Sequence, residues 1–493
     1  MLLKLAAIAL VPVVVGTGLF QFLRPPVGKN IEISEIDRGP GNSGHLISQV
    51  DPKGRIHLIW VQYGPGGAWR LNHSRQDDAL SGWTEPQEIT VPGNSAYAPH
   101  VDFDSEGNAV VVWVQDAQAS NVVVSRELNA SGKLGPVTQV DRDRGDQRGR
   151  LYSGAYDPRV YFNPITRKWL AIWSQWDGWA DRIFFNERTE TGAWGPSAPV
   201  DAGRSDGYWP WMCVGPTGET LAVWYQLDWT KGHLASRPFA SLLRVDGSWT
   251  PAADISGDKS DGSWARVICD GRRGFHVFWH QSDGVMGYRL WGAEVSTKGE
   301  FADDRVLFES ASFRRTIVSP VAIARTPAQT TLLSWCGEIA GKQVLYAAEW
   351  DSANKAPPRV DTMPLQVGTC IHPSTSVAAD GRRLVVWTEE GAQTTRIRGF
   401  LWKEGAPSTT KPVWQKLLSP GDVTGGAGLI EVASLDNETG PLHPTDEPVP
   451  PRFTQHVRPL TAIDAKDRFW IFWVGKHDGR HRLFAARMES GSR

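Results

Sequence analysis

Apolar and polar positions along this chain recur in one rhythm. An extended run, often with a proline near its start, ends in an Asp or Gly turn. An apolar run closing on Trp follows. One copy reads Pro99-His100-Val101-Asp102-Phe103-Asp104, then Gly107, then Val110-Val111-Val112-Trp113. Equivalent tryptophans stand at Trp60, Trp113, Trp173, Trp224, Trp279, Trp335, Trp387 and Trp473, spaced by subtraction at 53, 60, 51, 55, 56, 52 and 86 residues. Each copy holds four strand-like pieces. The first leads into a turn such as 51–54 or 270–274, where aspartate bonds local backbone and glycine tolerates positive φ. The second is a continuous apolar run, the pattern of a strand buried on both faces. The third is shorter, as at 182–186. The fourth often opens with Trp, as at Trp83, Trp194 and Trp249, and soon meets Pro86, Pro196 or Pro251. Proline there suits an outer edge strand.

Four antiparallel strands every fifty-odd residues predict an all-β chain, an eight-bladed β-propeller of four-stranded antiparallel blades. The eighth unit stops after its third strand, at Phe484–Arg487, while the chain offers an orphan strand at Ile31–Ile36. That N-terminal strand is expected to close the ring and so remove an exposed sheet edge. Seven blades with a divergent extra element is the alternative.

The segment before this strand has a different pattern. Met1–Lys4 is a short basic start, Leu5–Leu23 is uncharged and mostly apolar, and Arg24, Pro25 and Pro26 stop any helix. Nineteen residues at helical rise span about 28 Å, enough to cross a bilayer core. Residues 1–29 therefore read as one N-terminal apolar helix, a signal anchor or a signal peptide, with Gly16-Thr17-Gly18 as a cleavage site in the second case. Residues 30–493 read as the propeller domain, with an insertion loop at 420–452. Either version places the propeller on the periplasmic or extracellular side, held to the inner membrane by residues 5–23 or secreted. Of four cysteines, none has C-x-x-C spacing, and the repeat register singles out Cys336 with Cys370 as a pair at adjacent blades.

The rhythm Pro-x-Val-x-x-Asp-x-x-Gly…Val-Val-Trp-x-Gln, over most of residues 31–490, resembles the sialidase-like, BNR-repeat propeller superfamily. The resemblance implies the propeller fold. A sialidase would have six blades and a Phe-Arg-Ile-Pro sequence. This chain has no such sequence, and its Asp-box is a poor echo from Ser74 through Asp77 to Trp83.

Chemistry is expected on the face where first strands begin and second strands end, here called the upper face. His100, Arg159, Tyr208, Trp209, Trp211, Trp264, Arg266 and Arg458 sit there by register and are the candidate ligand-binding residues. Aromatic faces stack on sugar rings, and their polar tips bond. Three arginines, Arg159, Arg266 and Arg458, converging on a channel would grip a carboxylate or sulfate. Sialidases use an arginine triad in that way, so the resemblance implies this role. Packing between blades and solvated arginines are the bland alternatives. Gln62, Gln115, Gln175, Gln226 and Gln281 follow the repeat Trp by two residues, with Glu389 in the seventh unit. They either line the ligand site or cap strand ends. Asp157, Tyr156, Tyr208 and Glu389 are the catalytic candidates, since glycoside hydrolysis needs two carboxyls or a Tyr nucleophile.

Composition narrows the classes. With 52 basic and 54 acidic residues the chain has no electrostatic case for nucleic acid. No cofactor loop or metal-ligand cluster is legible. Twenty-four tryptophans against nine tyrosines speak for repeated core architecture. Three readings compete: a monomeric propeller binding a glycan or a glycan-bearing envelope partner, an exo-glycosidase or lyase acting on an acidic sugar, and a protein-binding scaffold of an envelope complex.

Overall fold

The computed structural model describes residues 31–488 apart from 64–66, 78–81, 117–120, 142–153, 189–191, 202–204, 229–234, 257–260, 272–273, 283–287, 307–319, 340–341, 352–357, 359, 365–368, 391–393, 404–427, 437–457 and 478–479. The expected apolar helix at 5–23 lies outside the described residues. Among the described residues no helix is long and apolar enough to cross a membrane.

Eight antiparallel sheets form the blades. In blade three the strands Ala155–Asn163, Lys168–Trp176, Asp181–Arg188 and Ala198–Pro199 pair in chain order. The last blade takes its outer strand from the other end of the chain. Ile31–Glu35 lies antiparallel to Arg480–Met488, with Ile31 opposite Met488 and Glu35 opposite Phe484.

Eight hydrophobic clusters fill the molecule, one between each pair of consecutive blades, including blades eight and one. Each cluster contains one repeat tryptophan, packed against the preceding blade: Trp113 against blade one, Trp173 against blade two, and finally Trp60 against blade eight. All eight are at most 2 % exposed. Truncating such a side chain to Ala costs about 3–5 kcal/mol. The abundance of tryptophan is thus mainly the mortar between blades.

The repeat tryptophan also has a fixed partner on the first strand. In blade three Tyr156 pairs with Ser174 and Arg159 with Ile172, so Asp157 and Pro158 together face Trp173. The same two-against-one bulge faces Trp60, Trp113, Trp224, Trp279 and Trp387. Its first residue is left-handed in every case: His45, Ala98, Asp157, Trp209, Trp264 and His372 have φ between 40° and 62°. Its second residue is Pro99, Pro158, Pro210 or Pro373 in four of the six. Proline has no N–H, so the bulge leaves no donor unpaired there. This is the physical origin of the proline near the start of these four repeats.

Two further features differ from the sequence reading. The stretch 420–452, expected as an inter-blade loop, contains the strand Gly428–Asp436, which forms the outer edge of blade seven with Leu435 opposite Thr395. A second disulfide joins Cys213 and Cys269, Cα atoms 6.0 Å apart, in addition to Cys336–Cys370 at 5.5 Å. Each bridge ties one blade to the next.

Candidate functional site

The residue after each bulge resumes the ladder beside the axis. His100, Arg159, Trp211 and Arg266 occupy this position in blades two to five. The guanidinium of Arg159 lies 4.5 Å from the Trp211 ring, and that of Arg266 also lies 4.5 Å from it. The His100 imidazole meets Trp211 edge-on at 6.3 Å. Side chains from four consecutive blades can meet in this way only at the channel. Arg458, from the last blade, is near enough to lower Arg266 and to be lowered in turn by Arg159.

Three guanidinium groups share this end of the ring. No ion pair involving Arg159, Arg266 or Arg458 occurs among the described residues; Arg266 Nη1 donates to the Ala265 carbonyl at 2.9 Å. Burial, then the charges of Arg159 and Arg458, push Arg266 down to about 9. Burial and Arg159 likewise lower Arg458. Arg458 and His45 nevertheless keep solvent-accessible surface, as side chains lining a wet channel do. His45 is held down to about 3 by burial, then by Arg458 and Arg159, so it is neutral at pH 7. His100 is held well below the usual range by burial and then by Arg159, and its Nδ1 accepts from the Val160 N–H at 3.3 Å. The wall beneath is polar and half-buried. Tyr161 Oη accepts from the Met212 N–H at 3.1 Å, and Asp102 Oδ2 from the Phe162 N–H at 2.8 Å. Burial pushes Tyr161 up to about 12 and Asp102 up to about 6.

A run of aromatics borders the channel on blades three to five. Trp209 and Trp264, the left-handed bulge residues of neighbouring blades, stack at 4.3 Å and 25°. Tyr225 meets Trp209 edge-on at 5.1 Å, Tyr208 lies 5.3 Å from Tyr225, and Tyr156 lies 6.0 Å from Tyr208. Trp209 is 38 % exposed, and Trp179, on the adjacent upper turn of blade three, is 87 % exposed.

Of the catalytic candidates, Tyr156 and Tyr208 stack at 6.0 Å, Asp157 follows Tyr156, and Glu389 stands on blade seven. Glu389 is buried and ion-paired with Arg398 at 3.0 Å, and it accepts from the Trp387 indole at 3.3 Å. Tyr208 donates to Asp181 Oδ2 at 3.0 Å, and burial, then Asp181 and Asp206, push its phenol up, which opposes a nucleophilic phenolate. Tyr156 is buried within the aromatic run. Asp157 is the half-buried bulge residue of blade three. Nearby carboxylates are held in place: Arg182 pairs with Asp177 at 3.3 Å and Asp201 at 2.9 Å, and Asp206 accepts from the Asp181 N–H at 2.9 Å.

Four of the repeat glutamines make hydrogen bonds within the fold. Gln175, Gln226 and Gln281 accept the indole N–H of Trp173, Trp224 and Trp279 at 2.7, 3.2 and 2.9 Å. Gln62 instead donates to both oxygens of Asp37. The residue that sequence reading missed is His45. It aligns with Asp157, Trp209 and Trp264, but blade one has Leu46 where blades two, three, four and seven have proline. Among the described residues no group of three His, Cys, Asp or Glu side chains is placed to hold a metal ion.

No family model matches the chain, and no curated protein matches it by sequence. Among solved structures it is similar to the BP39L lectin from Burkholderia pseudomallei, at 11% identity and a TM-score of 0.49 over 73% of this chain and 96% of that one. It is similar to an ulvan lyase of polysaccharide lyase family PL25, at 11% identity and 0.41 over 65% and 78%. It is also similar to an α-L-arabinofuranosidase from Fusarium graminearum, at 12% identity and 0.41 over 74% and 94%. Likenesses this distant carry no weight for function. Fold and site together define a class: an eight-bladed propeller whose upper face holds a cationic channel rimmed by aromatic rings.

Proposed function

We propose that the chain is an extracytoplasmic, membrane-associated propeller that binds an acidic glycan on its upper face. The observation that carries this reading is that Arg159 and Arg266 lie over Trp211, with Arg458 close enough to lower Arg266, and that among the described residues no carboxylate is ion-paired with any of the three. A sugar carboxylate or sulfate seated there removes their mutual repulsion and gains charge-assisted hydrogen bonds. The Trp209–Trp264 stack offers indole surface to the next ring, which makes a glycan a better fit than a bare anion. The apolar stretch 5–23 supports export and anchoring.

Binding is favoured over turnover because Glu389 is neutralised by Arg398 and the Tyr208 phenol is pushed up rather than down. The test is a glycan array carrying neutral, carboxylated and sulfated sugars, followed by calorimetry on any hit with Arg159→Ala and Trp209→Ala. A charged hydrogen bond is worth about 1.5–3 kcal/mol, so Arg159→Ala should weaken an acidic hit about ten- to a hundredfold. Trp209→Ala should cost about tenfold whether or not the stacked ring is charged. Unchanged binding in both variants, with circular dichroism intact, removes the reading. Turnover of a hit moves the enzyme reading ahead, and retention of a protein with no glycan hit moves the scaffold reading ahead.

A further inference from the structure

The course of the first described strand assigns a direction to the whole molecule. Ile31 stands opposite Met488 and Glu35 opposite Phe484, and the chain then crosses to Asn42 at the upper end of blade one. Arg480–Met488 runs from the upper to the lower face, so Ile31–Glu35 runs from lower to upper. Everything before Ile31 therefore joins the propeller at the lower rim of blade eight, opposite the arginine channel. Only residues 24–30 separate the apolar stretch from this strand. Seven residues reach at most about 25 Å.

Across the ring from blade eight stand blades three to five, and their lower turns carry large apolar tips. Ile165, Val245 and Phe301 are 55 %, 46 % and 40 % exposed. Gly218 lies between the first two: a Cβ placed on it would sit 3.0 Å from Ile165 and 3.4 Å from Val245, so these tips form one patch. Arg167, Arg244 and Lys298 are exposed on the same turns, beside Asp246 and Glu300. The lower first turns of blades one, two, seven and eight are Asp, Lys, Glu, Gly and Arg turns with no large apolar tip among their residues 51–55, 104–108, 378–382 and 464–468.

We propose that the lower face sits on the bilayer that holds the N-terminal segment, with Ile165, Val245 and Phe301 in the headgroup layer and the cationic channel facing away from the membrane. This rests on the anchor reading of residues 5–23. Three apolar tips with basic neighbours make a weak membrane contact by themselves. An anchor on a short tether at the opposite rim turns that contact into an intramolecular one, which raises its effective concentration. Two supports on opposite sides of the ring then define its tilt.

The four native cysteines are bridged, so an introduced cysteine can be labelled alone. Ile165→Cys, Val245→Cys and, as the upper-face control, exposed Asp116→Cys are each labelled with an NBD fluorophore in the full-length chain. The chain is reconstituted in phosphatidylcholine–phosphatidylglycerol vesicles with or without doxyl-labelled lipid. At positions 165 and 245 doxyl lipid should quench strongly, and iodide quenching should be at least threefold weaker than at 116. A chain that floats with vesicles yet shows equal iodide access at 165 and 116 overturns the docking and leaves the anchor standing. A chain that does not float overturns both. Protection at 165 without doxyl quenching places a second copy on the patch and also overturns the proposal.

Discussion

Arg159 and Arg266, two blades apart, lay their guanidinium groups over the same indole, each 4.5 Å from the Trp211 ring. The ring stands between two like charges, and its π-cloud supplies part of the stabilisation that a carboxylate would otherwise provide. Among the described residues no carboxylate is ion-paired with either guanidinium.

Trp211→Leu should therefore weaken binding of an acidic hit while leaving all three charges in place. Cation–π contacts of this type are worth about 0.5–2 kcal/mol, so a loss of about two- to thirtyfold is expected. Combined with Arg159→Ala, the losses should fall short of additive, since both variants disrupt one contact. Calorimetry on the four-membered cycle checks this; strict additivity shows that Trp211 does not support Arg159.

Asp102 should make stability depend on pH. Burial raises its carboxyl from 3.8 to about 6. Between about pH 4 and pH 6 the folded chain binds more protons than the unfolded chain, so this group's contribution to stability falls as pH rises through that window. Above pH 6 the folded chain carries a buried carboxylate at a cost of about 2–3 kcal/mol at most. Asp102→Asn should therefore gain on wild type between pH 4 and pH 7 in denaturant melts. A stability difference that stays flat over that range contradicts the burial of this carboxyl.

Gln226→Leu separates a structural amide from a ligand contact. It strips the acceptor from the Trp224 indole N–H and the donor from the Ser205 carbonyl. A buried donor left unpaired costs about 1–3 kcal/mol. Urea melts should show that loss, while affinity for any glycan hit stays within twofold.

Glu389→Leu should behave as a broken buried ion pair. Arg398 would lose the carboxylate at 3.0 Å, at a cost of about 3–5 kcal/mol. The double variant Glu389→Leu with Arg398→Met should recover much of that loss. Recovery of stability by the double variant, measured by thermal melts, marks Glu389 as a fold element rather than a catalytic acid.

The two bridges should contribute about 2–4 kcal/mol each. The denatured, unreduced chain should show no free thiol. Reductant should lower the melting temperature, and Cys213→Ala with Cys269→Ala should lower it independently of Cys336→Ala with Cys370→Ala. A full complement of four thiols in the unreduced chain would contradict both bridges.

The number of blades and the place of each tryptophan were legible in the chain because both follow from a local, repeating pattern. A run such as Val110–Val114 must be buried on both faces, and Trp113 recurs at nearly constant spacing because every blade needs the same wedge against its neighbour. The proline before His100, Arg159 and Trp211 was visible, but its meaning was not. Only the strand pairing shows that Pro99, Pro158 and Pro210 fill the second place of a bulge facing the repeat tryptophan. Register alone put His100, Arg159, Trp211 and Arg266 at one level of the ring. It could not say that Trp211 lies between two guanidiniums, that Glu389 is consumed by Arg398, or that Cys213 reaches Cys269. The Trp211 contacts and the disulfide join residues from different blades, and the Glu389–Arg398 pair joins two strands of blade seven. They depend on how far each blade leans toward the axis, which is decided by the packing of eight interfaces at once and by no single stretch of sequence.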